Sequence, residues 1–166
     1  MIGNDVIDLK LAQQESNWER KGYLDKLFSA SEQALIFKAK NQTEMVWILW
    51  SIKESVYKAY LRMDYNRGFY PSKIEVTSLE KIIDCYQANV QLYHLCFCSL
   101  SKVNENRIHS IAVHNELDIS KVKFLKRNIS YKKDNNGLPL DKFHNPISVS
   151  HHGIYKNIIS YSEVIG

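Results

Sequence analysis

The sequence predicts an α+β fold in which an antiparallel β-sheet packs against one long central helix. Two features support this: the helical segments come early in the chain, and β-like segments with short connections dominate after about residue 73. The 166 residues, with 45% hydrophobic and 24% charged, suit a folded protein that buries a sizeable core. We find no repeat and no linker, and therefore predict a single domain over residues 1–166.

The two main predicted helices lie in the first half of the chain. Ser-Ala-Ser-Glu at residues 29–32 is a capping-box pattern that predicts a helix through about residue 40. A second helix is predicted over residues 44–64 and ends before Gly68 and Pro71. Trp47 and Trp50 make it the most aromatic and apolar helix of the chain.

The predicted strands flank these helices. Residues 2–9 mix apolar and acidic positions and predict a short strand. Further strands are predicted over 73–78, 86–101 and 107–114, and a turn at 104–106 makes the last two antiparallel neighbours. A basic helix over 120–128, a turn at 135–139 and strands at 147–150 and 157–162 complete the prediction.

Several classes of protein are disfavoured. An acid occurs within the first five residues, and no long uncharged apolar run follows, so we expect no signal peptide, no membrane span and a cytoplasmic location. Cys85, Cys96 and Cys98 are an odd number and lack the second pair of a zinc site. We expect all three to be reduced packing residues.

Charged residues interrupt the apolar part of the second predicted helix. Glu54 and Lys58 are four residues apart, which places them on one helix face within reach of each other. A surface ion pair is the ordinary interpretation of such spacing. The apolar and aromatic surroundings favour a second interpretation, in which this pair lies at the edge of the core and shares a ligand.

Asp5 is a candidate metal ligand on the first predicted strand. A carboxylate there could join Glu54 as a hard oxygen ligand for Mg²⁺, leaving positions for water and substrate phosphates. Asp8, an odd number of residues away, should point to the opposite face and cap the following segment. Residues 148–153, Ser-Val-Ser-His-His-Gly, could hold a phosphate or could form a polar strand end.

Positive charge is concentrated in residues 121–133, where six Lys and Arg residues occur without an acid, although the net charge of the chain is only +4. This stretch is either a surface for an acidic or phosphorylated partner or a solvated helix face.

Five short segments occur in a fixed order along the chain. They are Gly3-Asn4-Asp5, the run Trp-Ser-Ile-Lys-Glu-Ser-Val-Tyr-Lys-Ala at 50–59, Gly68 leading to Ile74-Glu75-Val76, Gly137-Leu138-Pro139, and Ser150-His151. Together they resemble the 4′-phosphopantetheinyl transferase superfamily, in particular its short, single-domain holo-acyl-carrier-protein synthase type. The Lys-Glu-Ser-x-x-Lys-Ala element is the specific part of the match. The resemblance implies a 4′-phosphopantetheinyl transferase-like fold.

The resemblance also implies an activity: transfer of the 4′-phosphopantetheine arm of coenzyme A to a serine of an acyl carrier protein, with release of 3′,5′-ADP and a requirement for Mg²⁺. Asp5 and Glu54 would be the metal ligands, and Glu54 and Lys58 the catalytic residues. His151 would contact a phosphate of coenzyme A, and Lys53 is a further candidate for the pyrophosphate. Either Glu54 or a metal-bound water would accept the serine proton.

Some positions depart from the family pattern. The two-domain members carry a third acid two residues after the Asp, and this chain has Ile7 there, as the short type does, so a water is expected to complete the metal shell. Extra sequence between residues 8 and 29 could change oligomerisation or carrier choice. Short members assemble as trimers with active sites at subunit interfaces, so we expect a homotrimer. Carriers of fatty-acid, polyketide or peptide-synthetase type are not distinguished.

Two rival hypotheses remain at this stage. One is a non-catalytic coenzyme A or nucleotide-binding module with the same fold, which should have lost a metal ligand or Lys58; this sequence has lost neither. The other is a basic protein that binds nucleic acid through residues 121–133. That stretch carries few aromatic residues apart from Phe124 and Tyr131, which disfavours a nucleic-acid partner.

Overall fold

The computed structural model describes residues 1–63, 68–114 and 117–161. Its helices are α1 (Leu9–Glu15), α2 (Tyr23–Leu27), α3 (Ala30–Lys38) and α4 (Gln42–Tyr60). Its strands are β1 (Ile2–Asp8), β2 (Ile74–Ile82), β3 (Cys85–Leu92), β4 (Leu95–Asn104), β5 (Arg107–His114), β6 (Val122–Leu125), β7 (Lys132–Lys133), β8 (Pro139–Leu140), β9 (Ile147–His152) and β10 (Tyr155–Tyr161).

The main sheet has five antiparallel strands in the order β1-β5-β4-β3-β2. Helix α4 packs on one face of this sheet. Ile48, Ile52 and Val56 of the helix are completely buried and share a core cluster with Val90 and Ile108 of the sheet. The predicted α+β fold, with an antiparallel sheet packed against a long helix, is therefore confirmed.

A smaller sheet covers the other side of β1. Its strands run in the order β6-β10-β9, and Ile159 of β10 packs with Ile2 of β1 in a second apolar cluster. All seven residues of β1 are buried as a result. Because burying an unpartnered polar group is costly, the polar residues of this strand need partners or a ligand.

The predicted local signals at three element ends are confirmed. Asp8 caps α1 by accepting a hydrogen bond from the Leu11 amide (3.2 Å). Ser29 and Glu32 form the predicted capping box at the start of α3. Asn104 pairs with Arg107, so a two-residue turn joins β4 to β5. Residues 64–67, where the second helix and its following turn were predicted, and residue 162 lie outside the described residues.

The single long strand predicted over 86–101 is wrong. This region is a hairpin of β3 and β4, in which Leu92 pairs with Leu95. Tyr93 takes a positive φ of 55° at the turn. A bulky residue adopts that conformation rarely, so Tyr93 gives no turn signal in the sequence.

The basic helix predicted over 120–128 is also wrong. A 3₁₀ turn at Ile119–Lys121 leads into strand β6, which pairs antiparallel with β10 along the edge of the smaller sheet. Pairing with a strand more than thirty residues later in the chain overrides the local helical preference.

The remaining predictions concern the end of the chain and the cysteines. The strand predicted at 147–150 forms part of β9. The second strand was predicted at 157–162, and its described residues lie in β10. The three cysteines are free, but Cys96 is exposed and is therefore not a packing residue. Among the described residues, no helix combines the length and apolar character needed to cross a membrane.

Candidate active site

Gly3 allows β1 to lie directly against α4. A Cβ atom at this position would overlap the Ser55 carbonyl oxygen and would lie 2.5 Å from the Ala59 amide nitrogen. Any other side chain would push the strand away from the helix. The glycine therefore fixes how closely Asp5, on the same strand face, approaches α4.

Asp5 and Lys58 form an ion pair across this strand–helix contact. The Lys58 Nζ lies 2.9 Å from Asp5 Oδ1; the Lys58 side chain is partly exposed, whereas Asp5 is largely buried. The sequence left two interpretations of Glu54 and Lys58 open, a surface ion pair and a pair at the edge of the core that shares a ligand. The structure instead pairs Lys58 with Asp5, because the buried strand brings a second carboxylate to the same helix face.

Glu54 lies beside this pair, and its electrostatic environment is unusual. Burial, and next the negative charge of Asp5, raise the pKa of Glu54 to about 7, while the Lys58 ammonium acts in the opposite direction. The other Asp5 oxygen, Oδ2, is buried and has no hydrogen-bond partner among the described residues. Two neighbouring carboxylates, one with an unpartnered oxygen, therefore carry more negative charge than the protein compensates.

This arrangement fits a divalent cation. Hard carboxylate oxygens are the ligands that Mg²⁺ prefers, and a cation would both satisfy Asp5 Oδ2 and favour the ionised form of Glu54. The described residues contain no cluster of three or more His, Cys, Asp and Glu side chains suited to a metal. Asp5 and Glu54 would thus supply two ligands, and water or substrate would supply the others.

His151 lines the same cavity as Asp5 and Glu54, which has a volume of about 290 Å³. The structure therefore brings together four of the five predicted site residues: Lys58 is bonded to Asp5, and the other three border this cavity.

Lys53 is the exception. Its Nζ lies on the core side of α4, 2.8 Å from Glu32, and donates hydrogen bonds to the carbonyls of Pro71 (2.9 Å) and Ile74 (2.6 Å). Its side chain is almost completely buried. All three ammonium protons have acceptors there, so the predicted contact of Lys53 with a pyrophosphate is corrected to a structural role.

Asn4, which the sequence analysis did not single out, ties β1 to β9. Its backbone amide donates to Ser148 Oγ (2.9 Å), the Ser148 hydroxyl donates to Asn4 Oδ1 (2.8 Å), and Asn4 Nδ2 donates to Ser150 Oγ (2.9 Å). Asn4 Nδ2 also lies 3.1 Å from His109 Nε2. These bonds set the position of His151 relative to Asp5; a polar residue within a fully buried strand was the signal that could have revealed them.

His152 forms a second connection that was not predicted. The Asp8 amide donates to His152 Nδ1 (2.8 Å), which assigns the ring proton to Nε2, and Nε2 lies 3.1 Å from Glu15 at the end of α1. Gly153 follows with a φ of +55°, and a Cβ there would overlap the Asp8 carboxylate. The segment containing α1 and α2 is thereby held beside the cavity.

The six basic residues of 121–133 are all exposed. Lys121 ends the 3₁₀ turn before β6, and the other five lie on β6, on β7 and between these strands, so they do not form the predicted α-helix face.

Comparison with known proteins identifies the family to which this chain is similar. A model of the 4′-phosphopantetheinyl transferase superfamily matches residues 1–112, which include Asp5, Glu54 and Lys58. The crystal structure of Thermotoga maritima holo-[acyl-carrier-protein] synthase is similar with a TM-score of 0.47 and 13% sequence identity, over 98% of this chain and 83% of that chain. No curated protein matches the chain.

Proposed function

The chain belongs to the 4′-phosphopantetheinyl transferase superfamily, and from this premise we propose that it transfers the 4′-phosphopantetheine arm of coenzyme A to a serine hydroxyl of an acyl carrier protein. The other product is 3′,5′-ADP, and the reaction requires Mg²⁺. The observation that carries the proposal is the pair of carboxylates, Asp5 and Glu54. Both line one cavity, burial and the charge of Asp5 raise the pKa of Glu54, and Lys58 forms an ion pair with Asp5 beside them.

Asp5 and Glu54 would hold Mg²⁺. The ion, when bound, supplies positive charge that stabilises the pyrophosphate as its phosphoanhydride bond breaks. The buried position of Asp5 Oδ2 and the raised pKa of Glu54 support this assignment, because both features describe a site that lacks positive charge.

Lys58 acts on the leaving group. Its ammonium is held by Asp5 at the edge of the site and is partly exposed, so it can reach a ligand phosphate without first leaving a closed network. Charge on the departing 3′,5′-ADP grows only as the bond breaks, and an ammonium nearby therefore stabilises the transition state more than the bound substrate.

The serine proton goes either to Glu54 or to a water molecule in the site. Glu54 borders the cavity, and a bound cation would keep its carboxylate ionised, which is the form that can accept a proton. His151 borders the same cavity, and we assign it to a phosphate of coenzyme A.

The carrier protein docks on the exposed basic residues of 121–133. Acyl carrier proteins are acidic, and opposite charge raises the rate of productive encounter in a salt-dependent way. The double variant Lys132→Glu/Lys133→Glu should raise the KM for the carrier and leave the KM for coenzyme A unchanged. Equal changes in both KM values would assign these lysines to coenzyme A.

We further propose a homotrimer as the working assembly. Light scattering coupled to size-exclusion chromatography measures the mass of the particle directly, and a monomer at the concentration used for activity would exclude this assembly.

The decisive experiment measures the mass of the carrier. Candidate apo carriers from fatty-acid, polyketide and peptide-synthetase systems are incubated with the protein, coenzyme A and Mg²⁺, and intact mass spectrometry detects addition of the phosphopantetheine arm. The Asp5→Asn variant serves as the matched control. Binding of coenzyme A without modification of any carrier would favour the non-catalytic binding module.

A further inference from the structure

Arg62 ties the β7–β8 hairpin, residues 132–140, to the end of α4. It lies four residues after Lys58, and its side chain is only 8% exposed. We propose that Arg62 is a positioning residue for carrier recognition, which fixes the hairpin that bears Lys132 and Lys133 relative to Lys58. The inference rests on the proposed function and assigns the contact that holds part of its docking surface in place.

The hairpin has little apolar packing to hold it. Strands β7 and β8 have two residues each and form a separate two-stranded sheet. Every residue from 126 to 146 is exposed or only partly buried. An isolated two-stranded hairpin is at best marginally stable in water, so polar contacts have to hold this one against the rest of the protein.

The turn of the hairpin is ordered by its own bonds. Asp134 Oδ1 accepts hydrogen bonds from the Asn136 and Leu138 amides, both at 2.9 Å. Gly137 takes a φ of +77°, a conformation that glycine adopts without strain. These contacts lie within the hairpin, so they set its shape but not its position on the protein.

Arg62 supplies contacts that set the position. Its Nη2 donates hydrogen bonds to the carbonyl oxygens of Pro139 and, at 2.7 Å, Ile147. Its Nη1 lies 3.7 Å from Asp134 Oδ2. One guanidinium group therefore reaches the turn, strand β8 and the start of β9. A planar fork with five N–H donors suits three such points, whereas an ammonium concentrates its donors at one nitrogen.

Strand pairing carries this position to the docking lysines. Lys133 pairs with Pro139 across the hairpin, and Lys132 precedes it on the same strand. Pro139 also lines one cleft together with Lys58 and Arg62, so the hairpin lies beside the lysine that acts on the leaving group. Fixing the strand before the carrier arrives avoids the entropy cost of ordering it on binding, a cost that would raise the KM for the carrier.

Steady-state kinetics test the proposal, with a carrier that the wild-type protein modifies and with each substrate varied separately. Arg62→Lys keeps the charge and removes the fork. It should raise the KM for the carrier roughly tenfold, the cost of ordering a few side chains on binding, and leave kcat and the KM for coenzyme A unchanged. Arg107→Lys is the matched control, because the Arg107 guanidinium lies over the Tyr155 ring, and it should change neither KM.

A double-mutant cycle shows whether Arg62 acts through the lysines. In the Lys132→Glu/Lys133→Glu background, Arg62→Lys should raise the KM for the carrier by less than about twofold more, because residues that act as a unit are not additive. Hydrogen exchange measured by mass spectrometry should be faster in residues 132–140 of Arg62→Lys, and its melting temperature reports whether the fold is retained.

Asp134→Ala loosens the same hairpin from its turn and makes the protein more positive. Charge alone would then lower the KM for an acidic carrier, whereas loss of positioning should raise it. An unchanged KM for the carrier in Arg62→Lys, an equal rise in the KM for coenzyme A, or full additivity with the lysine variants would overturn the positioning role while the proposed function stands. If the wild-type protein modifies none of the candidate carriers, the proposed function fails and the inference fails with it.

Discussion

Two lysines of helix α4 form ion pairs with carboxylates at similar distances, but the two pairs differ in their exposure to solvent and in their hydrogen bonds. Lys53 lies 2.8 Å from Glu32, and Lys58 lies 2.9 Å from Asp5. The first pair is sealed, with side chains 1% and 0% exposed, and the second is open, with 29% and 12%. The exposed fraction therefore separates the two pairs where the distance does not.

Hydrogen bonding sharpens the contrast. In the sealed pair, Lys53 has three acceptors, and both oxygens of Glu32 accept backbone amides, Oε1 from Val76 (2.9 Å) and Oε2 from Ser29 (2.8 Å). In the open pair, Asp5 Oδ2 has no hydrogen-bond partner within the part of the chain that the structure describes. A buried polar network that is complete stabilises a fold, whereas one that lacks a partner indicates where a ligand belongs.

The largest expected effect concerns the open pair and its neighbour. Asp5→Asn or Glu54→Gln should lower the rate of transfer to a carrier by about 10³-fold or more, because each would remove a charge from the proposed Mg²⁺ site while keeping the side-chain shape. The rate is measured by intact mass spectrometry, and Mg²⁺ affinity by calorimetry with coenzyme A present. Unchanged metal affinity in both variants would show that neither Asp5 nor Glu54 is a metal ligand.

The sealed pair should respond in stability instead of activity. Lys53→Met should lower the free energy of unfolding by about 3–5 kcal/mol, since it leaves the Glu32 carboxylate buried without a counter-charge. Urea denaturation measures the loss, and Lys58→Met is the control. The Lys58 side chain is 29% exposed, so solvent screens its ion pair more and the loss should be smaller than for Lys53→Met. A raised KM for coenzyme A at normal stability would instead return Lys53 to the active site.

Lys58 should affect turnover. Lys58→Ala is expected to lower kcat by roughly 10² or more with a modest change in coenzyme A affinity, because its ammonium is needed most as the leaving group gains charge. Lys58→Arg keeps the charge but shares a proton less readily, so partial recovery indicates electrostatic stabilisation and no recovery indicates proton donation. Near-normal turnover with a lower melting temperature would show that Lys58 stabilises the fold, as Lys53 does, and does not act in catalysis.

The smallest effect is a dependence of stability on pH. The pKa of Glu54 is raised from 4.5 to about 7 in the folded protein, so between these values the folded state binds more protons than the unfolded state. Stability without metal should therefore fall as the pH rises through this window, by on the order of 2 kcal/mol. Urea titrations at pH 5 and pH 8 measure the change. Glu54→Gln should show a smaller change, and an equal one would assign the dependence to other groups.

The sequence predicted the elements whose signals are local. The capping boundaries around Asp8 and Ser29, the position of the long helix and the face of Asp5 follow from short-range patterns, and the structure bears them out. The sealed pair was not predictable in this way. Glu32 and Lys53 are twenty-one residues apart on different helices, and only the packing of α3 against α4 brings them together. For the same reason Lys53, although adjacent to Glu54 in sequence, points away from it.

The ion pair of Lys58 with Asp5 was missed for a related reason. Helical spacing correctly placed Glu54 within reach, but it contained no information about β1, which approaches α4 only because Gly3 lacks a side chain. The strand β6 was missed because its partner, β10, lies far along the chain. Long-range pairing thus explains both the missed strand β6 and the ion pair of Lys58 with Asp5, whereas the missed β3–β4 hairpin reflects a local turn at Tyr93 without a sequence signal.

The double enclosure of β1 has a consequence for how the protein is made. Ile2 pairs with Val113 and Asn4 bonds to Ser150, so this strand emerges from the ribosome long before the strands that flank it. Until β9 and β10 have been synthesised, the face of β1 that packs on the smaller sheet stays uncovered, and a nascent chain with such exposed apolar surface is a natural client for chaperones. The site therefore matures late in translation, and chains cut short before β9 are expected to be inactive even though they contain Asp5, Glu54 and Lys58.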